Sequence, residues 1–349
     1  MPFPLTPSLP GGCRKSHLSH REKVRVRGYN RVMLNQRHKF IVPLLFYFAV
    51  PLFIFAMLFM RLPGDSMLWR EFQNVGHTPL FGFIVLATLY MLRTYIPVAR
   101  DRPLYGYLMS AVVSLGIGVL SEYGQLLTDR DPSSYDVMRD LIGIVAGLGL
   151  YAGVDPQMKP LWNNLRRGLR SATVILSCFL FAASLFPLVR LATASIQRNE
   201  AFPVVIDFEA GWSKPFLQLQ HATLIAATEN QLSQLVFKPA RYPGVSMVEP
   251  CPDWSAYASL TFVIHSSQSH PFQLVLRIHD KLHNQEHADR FNRSLMIIPG
   301  ENYVRIPLAE IRNAPAGREM DMTRITGLTL FTVDTVLAVD FYIGSLRLE

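Results

Sequence analysis

The chain has 349 residues, enough for about two domains. Half of its residues are apolar and 17% are charged, and the apolar ones crowd into long blocks in the first half, so the average covers two unlike parts. The net charge of +8 does not indicate a nucleic-acid partner, because Arg14, Lys15, Arg21, Lys23, Arg25, Arg27, Arg31, Arg37 and Lys39 all precede the first apolar block, where they read as a topology signal.

Residues 1–39 combine Pro2, Pro4, Pro7, Pro10, Gly11 and Gly12 with that basic run, a composition unable to bury a core, and are expected to form a disordered cytoplasmic tail. Met33 is an alternative start within it. Residues 40–60 are almost wholly apolar and, at helical rise, long enough to cross a hydrocarbon layer about 30 Å thick. No small-residue cleavage pattern follows, so this segment is expected to be an uncleaved anchor. Further apolar blocks at 79–99, 104–121, 137–154 and 171–196 bring the expected count to about five spans.

Positive flanks stay cytoplasmic. The basic tail, then Arg93, Arg100 and Arg102, then Lys159, Arg166, Arg167 and Arg170 alternate consistently with the N-terminus inside and the C-terminus outside. The loops 61–78 and 122–136 and everything after about residue 198 then face outward. Cys13, Cys178 and Cys251 fall in three separate regions of this topology, so no intramolecular disulfide is expected.

Polar residues at membrane depth are costly, which makes them functional candidates. They gather at the expected outer face: His77 opens the second span, Glu122 and Gln125 close the third, Arg130 lies in the loop, and Asp136 and Asp140 open the fourth. Glu122 and Gln125 share a helix face, as do Asp136, Asp140, Gly143 and Gly147. The structural alternatives are a Ser133 or Ser134 cap with Asp136 as a first-turn acid, close helix packing at Gly143 and Gly147, and a Glu122–Arg130 ion pair.

This series resembles the VanZ-like family of membrane proteins, whose pattern reads Glu-x-x-Gln, Arg, then Asp-x-x-x-Asn-x-x-Gly-x-x-x-Gly, with an upstream His starting a helix. The likeness covers residues 74–151, and Asp140 stands where the family usually has Asn. The resemblance implies a bacterial cell-membrane protein linked to glycopeptide resistance, without an established reaction.

Beyond residue 204 the pattern changes to short runs alternating with period two between Gly, Pro and Asn. Strands are expected at 204–209, 260–265, 272–278, 295–298, 303–306, 328–332 and 339–348, with Phe272, Leu274, Leu276 and Ile278 facing a core. Such a series predicts an all-β sandwich of jelly-roll type. The expected organisation is therefore a basic tail (1–39), an α-helical transmembrane bundle (40–198) and an extracytoplasmic β-sandwich (199–349).

The stretches Val205-Ile206-Asp207-Phe208-Glu209, Trp254-Ser255-Ala256-Tyr257 and Arg277-Ile278-His279-Asp280 resemble those of jelly-roll carbohydrate-binding modules. Sugar binding uses flat aromatic faces with fixed polar groups. Trp212, Trp254 and Tyr257 are the candidate faces, and Arg277, Asp280, His283, Asp289 and Arg290 the candidate polar contacts. Against this stand core roles for Trp254 and Tyr257 and a local Asp289–Arg290 pair. His279, His283 and His287 have zinc-like spacing but follow a strand without a nearby Cys, and read as solvated loop residues. The resemblance also implies a calcium site, for which Asp207, Glu209 and Asp340 are weak candidates because Gly344 and Ser345 occupy the closing positions.

The leading expectation is a non-enzymatic envelope protein, set among membrane lipids, that displays a module for glycan or another envelope polymer. The alternative is a membrane enzyme using His77 and Glu122 as acid and base on a lipid-linked envelope precursor, with Arg130 holding phosphate. A transporter is disfavoured because the spans hold few deep polar residues, and no cofactor is expected.

Overall fold

The computed structural model describes residues 66–125, 133–165, 168–225 and 232–349. The expected tail, the first expected span and Arg130 lie outside them. The helices are α1 (Met67–Tyr95), α2 (Pro97–Asp101), α3 (Pro103–Gln125), α4 (Ser134–Val154), α5 (Lys159–Asn164) and α6 (Leu169–Ala201). Four of the described helices, α1, α3, α4 and α6, are long and apolar enough to cross a membrane. Each coincides with one of the four later expected spans. Helix α1 begins earlier than the apolar block does, with Pro79 in its interior rather than at its start.

Among the described residues the chain forms two compact units, one of Leu80–Ser177 and the other of residues 66–79 with Cys178–Glu349. In the first, Phe81, Ile84 and Val85 of α1 pack with Ile144 of α4. The two helices approach to backbone contact: a Cβ on Gly147 would lie 2.8 Å from the Gly82 carbonyl oxygen, so glycine is required at that crossing. At the ends of α1 and α4, Arg93 donates to the buried Asp155 (2.7 Å), which also accepts from the Tyr107 hydroxyl (3.1 Å) and the Gln157 N–H (3.0 Å). Burial opposes ionisation of Asp155, but the Arg93 and Gln157 hydrogen bonds hold its carboxyl below the usual range. Outward faces are apolar, as at Leu108, Val112 and Leu120 on α3 and Ile175 on α6.

The second unit is dominated by twelve antiparallel strands in two sheets. The larger sheet runs β1 (Val204–Ile206), β12 (Leu346–Leu348), β6 (Ser259–Ser266), β11 (Val339–Ile343), β4 (Ser233–Phe237) and β3 (Ala222–Ile225), with β9 (Gly300–Pro307) on the other side of β6. The smaller sheet runs β2 (Leu217–Gln220), β5 (Gly244–Val248), β10 (Ile325–Phe331), β7 (Phe272–Asp280) and β8 (Phe291–Ile297). A short helix, α7 (Leu308–Arg312), follows β9.

The alternation expected on β7 is present, with Leu274, Leu276 and Ile278 fully buried. They join Val245, Met247, Leu328 and Leu330 in one core with Leu235, Phe237 and Phe341 of the larger sheet. Phe341 is packed edge-on by Phe237 (5.3 Å between centroids) and flanked by Phe272 (5.7 Å). Each fully buried side chain of this kind contributes about 1.5–3 kcal/mol, which holds the layer together. Leu191 and Ala194 of α6 belong to the same core. The last expected strand is two strands, β11 and β12, separated at Gly344 and Ser345; the first ends at Ile206, because the Asp207 carboxylate caps a turn by accepting the Glu209 and Ala210 N–H groups.

Candidate functional site

The smaller sheet buries one face, so the alternate residues of its strands face away from the core. Register sets them in two adjacent rows. Gln220, Gly244, Phe331, Val275 and Ser294 stand opposite one another across all five strands. The neighbouring row carries Ser246, Thr329, Arg277 and Asn292, with the Ser246 and Thr329 hydroxyls hydrogen-bonded at 3.0 Å.

These rows floor a cleft of about 770 Å³ whose lining is completed by Tyr242, Val333, His287 and Arg290. Tyr242, half exposed just before β5, meets the Phe331 ring at 6.2 Å and 73°, so two aromatic faces stand at one end of the cleft. Gly244 makes this seat: a Cβ there would lie 2.5 Å from the Leu330 carbonyl oxygen and 2.6 Å from Phe331 Cβ. The lining is cationic at Arg277 on β7, next to Thr329 in its row, and at Arg290 from the loop before β8.

That loop is held from below. Arg318 donates to Asp280 through Nη1 (2.6 Å) and Nη2 (2.8 Å) and to Asp289 through Nε (2.5 Å). Asp280 also accepts the Asp321 N–H (2.8 Å), and Asp289 the Asn284 N–H (2.9 Å). His283 Nδ1 donates to the Asp289 carbonyl oxygen (2.9 Å). Burial works against the charge on Asp280, yet the Arg318 hydrogen bonds keep its carboxyl low. The same Arg318 bond, with the Asn284 N–H, holds Asp289 down at about 2. His279 is pushed down to about 4, first by burial and then by the charges of Arg277, His283 and Arg290.

The structure thus divides the sequence candidates. Arg277 and Arg290 come together in the cleft. Asp280, His283 and Asp289 come together around Arg318 and are spent on the loop, which also corrects the expected Asp289–Arg290 pair. Trp212 and Trp254 are core residues rather than sugar platforms; Trp254 is fully buried because its indole N–H finds the Cys251 carbonyl oxygen 2.7 Å away. Tyr257 packs against the same core. Asp340 takes hydrogen bonds from Gln234 and Gln268. Among the described residues, neither Asp207, Glu209 and Asp340 nor the three histidines form a metal-sized ligand cluster. Tyr242, Phe331 and Arg318 were not anticipated; the one available signal was Phe331, an aromatic at an outward strand position.

On the helices, His77 lies on α1, and Glu122, near the end of α3, accepts the Ser133 N–H (2.9 Å). The Glu122 and Asp136 carboxylates come within 4.8 Å of each other, and Asp136 pairs with Arg139 (2.5 Å). Asp140 is fully buried on α4. Gln125 ends α3.

No protein-family model matches the chain, VanZ-like models included, and no curated protein matches it. Solved structures similar in part include an exo-β-agarase, 18% identical over 42% of this chain and 25% of the agarase, with a TM-score of 0.34. Another is the family 11 carbohydrate-binding module from Clostridium thermocellum in complex with a β-1,3-1,4-mixed-linked tetrasaccharide, 14% identical over 38% of this chain and 82% of the module, TM-score 0.31. A third is a carbohydrate-binding module specific for non-crystalline cellulose, 10% identical over 43% of this chain and 94% of the module, TM-score 0.29. The chain spans about a quarter of the agarase's length. These likenesses concern fold and say nothing of a ligand.

Proposed function

We propose that the protein is a membrane-anchored glycan-binding protein that takes its ligand in the cleft of the five-stranded sheet. The observation that carries this reading is the composition of the cleft: two aromatic rings at one end, and a floor of hydroxyl, amide and guanidinium groups in register. Sugars present apolar C–H faces and a rim of hydroxyls, and such a surface meets both needs. The described lining contains no carboxylate, whereas glycoside hydrolysis generally uses two, so the reading is binding without cleavage.

In this reading the apolar helices sit in a bacterial cell membrane with the basic tail inside and the β domain outside, among envelope polymers. The VanZ-like likeness of the polar series from His77 to Gly147 belongs to the same envelope setting. The test is binding of an envelope-polysaccharide panel to the full-length protein in detergent, beside Tyr242→Ala and Phe331→Ala. Removal of either ring should weaken binding about tenfold, since each ring covers apolar sugar C–H surface at roughly 25 cal/mol per Å². A protein that binds no polymer, or whose binding ignores both changes, contradicts the proposal.

A further inference from the structure

Two arginines on one wall of a half-buried cleft need a reason. Arg277 and Arg290 both line it, and neither has a carboxylate partner among the described residues. The Nε atom of each is buried without a hydrogen-bond partner. The acids nearest in sequence, Asp280 and Asp289, are turned to Arg318 instead. Burial and the charge of Arg290 both work against the charge on Arg277, so the pair is mutually repulsive as it stands. His287 lines the same cleft, and among the described residues the lining holds no acid to offset these groups.

Desolvated, unpaired guanidinium groups are costly, and a fold that keeps two of them side by side leaves the counter-charge to be supplied from outside. The guanidinium fork binds two oxygens of a carboxylate or a tetrahedral oxyanion at once, which a single neutral hydroxyl cannot offer.

Resting on the glycan-binding reading, we propose that the cleft selects an acidic polysaccharide, in which an anionic oxygen group on the sugar docks between Arg277 and Arg290 while neighbouring sugar faces lie against Tyr242 and Phe331. The Ser246–Thr329 hydroxyl pair stands in the same row as Arg277, with Asn292 on the other side of that arginine, and these groups take the ring hydroxyls.

The test titrates the full-length protein in detergent with polygalacturonate (carboxylate), dextran sulfate (sulfate), and the neutral polymers dextran and mixed-linkage β-glucan. The expected result is at least tenfold tighter binding of one acidic polymer than of either neutral one, weakening as salt rises. Arg290→Gln and Arg277→Gln should each lower that affinity about tenfold, as expected for loss of a charge-assisted hydrogen bond. Neither should lower the thermal midpoint, because like-charge repulsion is relieved. The two acidic polymers distinguish carboxylate from sulfate recognition. Equal or tighter binding of a neutral polymer, still dependent on Tyr242 and Phe331, would overturn the charge selection and leave the glycan reading standing. Acidic binding that survives both arginine changes is general attraction to a basic protein and also overturns it. If no polymer of either kind binds, both readings fail.

Discussion

Arg318 is the group on which the cleft's cationic wall depends without touching a ligand. Replacing it with alanine removes three hydrogen bonds to carboxylates and one to the Glu319 carbonyl oxygen, and leaves the Asp280 side chain, itself fully buried, with the Asp321 N–H as its remaining partner among those described. Deleting one partner of a buried pair costs about 3–5 kcal/mol. The Arg318 side chain is 25% exposed, so water reaches the gap and the cost falls to the lower end, about 2–3 kcal/mol. For a domain of this size that is a drop of roughly 5–10 °C in thermal midpoint. Intrinsic fluorescence is a suitable readout, because two of the four tryptophans, Trp212 and Trp254, lie in the β core. The pH dependence has a definite sign. Arg318 depresses both carboxyls, so its contribution is complete above the unfolded carboxylate range near pH 4 and fades as pH falls towards about 2, where Asp289 titrates. The gap between wild type and variant should therefore be large at pH 7 and small at pH 2.5. Polysaccharide affinity should fall as well, since the loop carrying His287 and Arg290 loses its clamp. A variant with an unchanged midpoint at pH 7, or a gap indifferent to pH, would refute the reasoning.

Gly244→Ala should cost about 1–3 kcal/mol by overpacking and displace Phe331, lowering the midpoint and the affinity together, whereas an unperturbed variant means that β10 can yield there. His279 is held down at about 4, so the unfolded chain takes up a proton first on acidification: stability should decline as pH falls from about 6.5 to about 4, and His279→Asn should flatten that stretch of a midpoint-against-pH curve. For the topology, Cys251, a free and partly exposed thiol, should react with a membrane-impermeant reagent on intact cells while Cys13 is spared. The reverse pattern would invert the orientation.

The helices were legible because a long apolar helix advertises itself by composition alone. Their ends were not: Glu71, Gln73 and Asn74 continue α1 on polar residues that an apolar block does not include, and Pro79 is tolerated inside the helix where it reads as a beginning. In the β part, β7 announced itself by alternation, but the strands between residues 217 and 248 did not. β2 and β3 are short strands at sheet edges with little buried surface, so no period-two pattern marks them. The arginines of the cleft were visible because Arg277 holds an outward position on a clear strand and Arg290 sits at the next strand's start. The tryptophans misled because residue type does not give direction; a local carbonyl satisfies Trp254 and lets the whole ring go inside. Thr329 stands between Ser246 and Arg277, and Phe331 between Gly244 and Val275, through the register of β5, β10 and β7, a relation that no local spacing encodes.

The central claim is that ligand occupies the outer face of the five-stranded sheet. Oxidative footprinting of the full-length protein, with and without saturating bound polysaccharide, tests it directly. Protection is expected at Tyr242, Phe331 and His287, which line the cleft, and none at Tyr303, an exposed residue of β9 in the other sheet. Protection at Tyr303 with Tyr242 and Phe331 still reactive would place the ligand elsewhere and contradict the account.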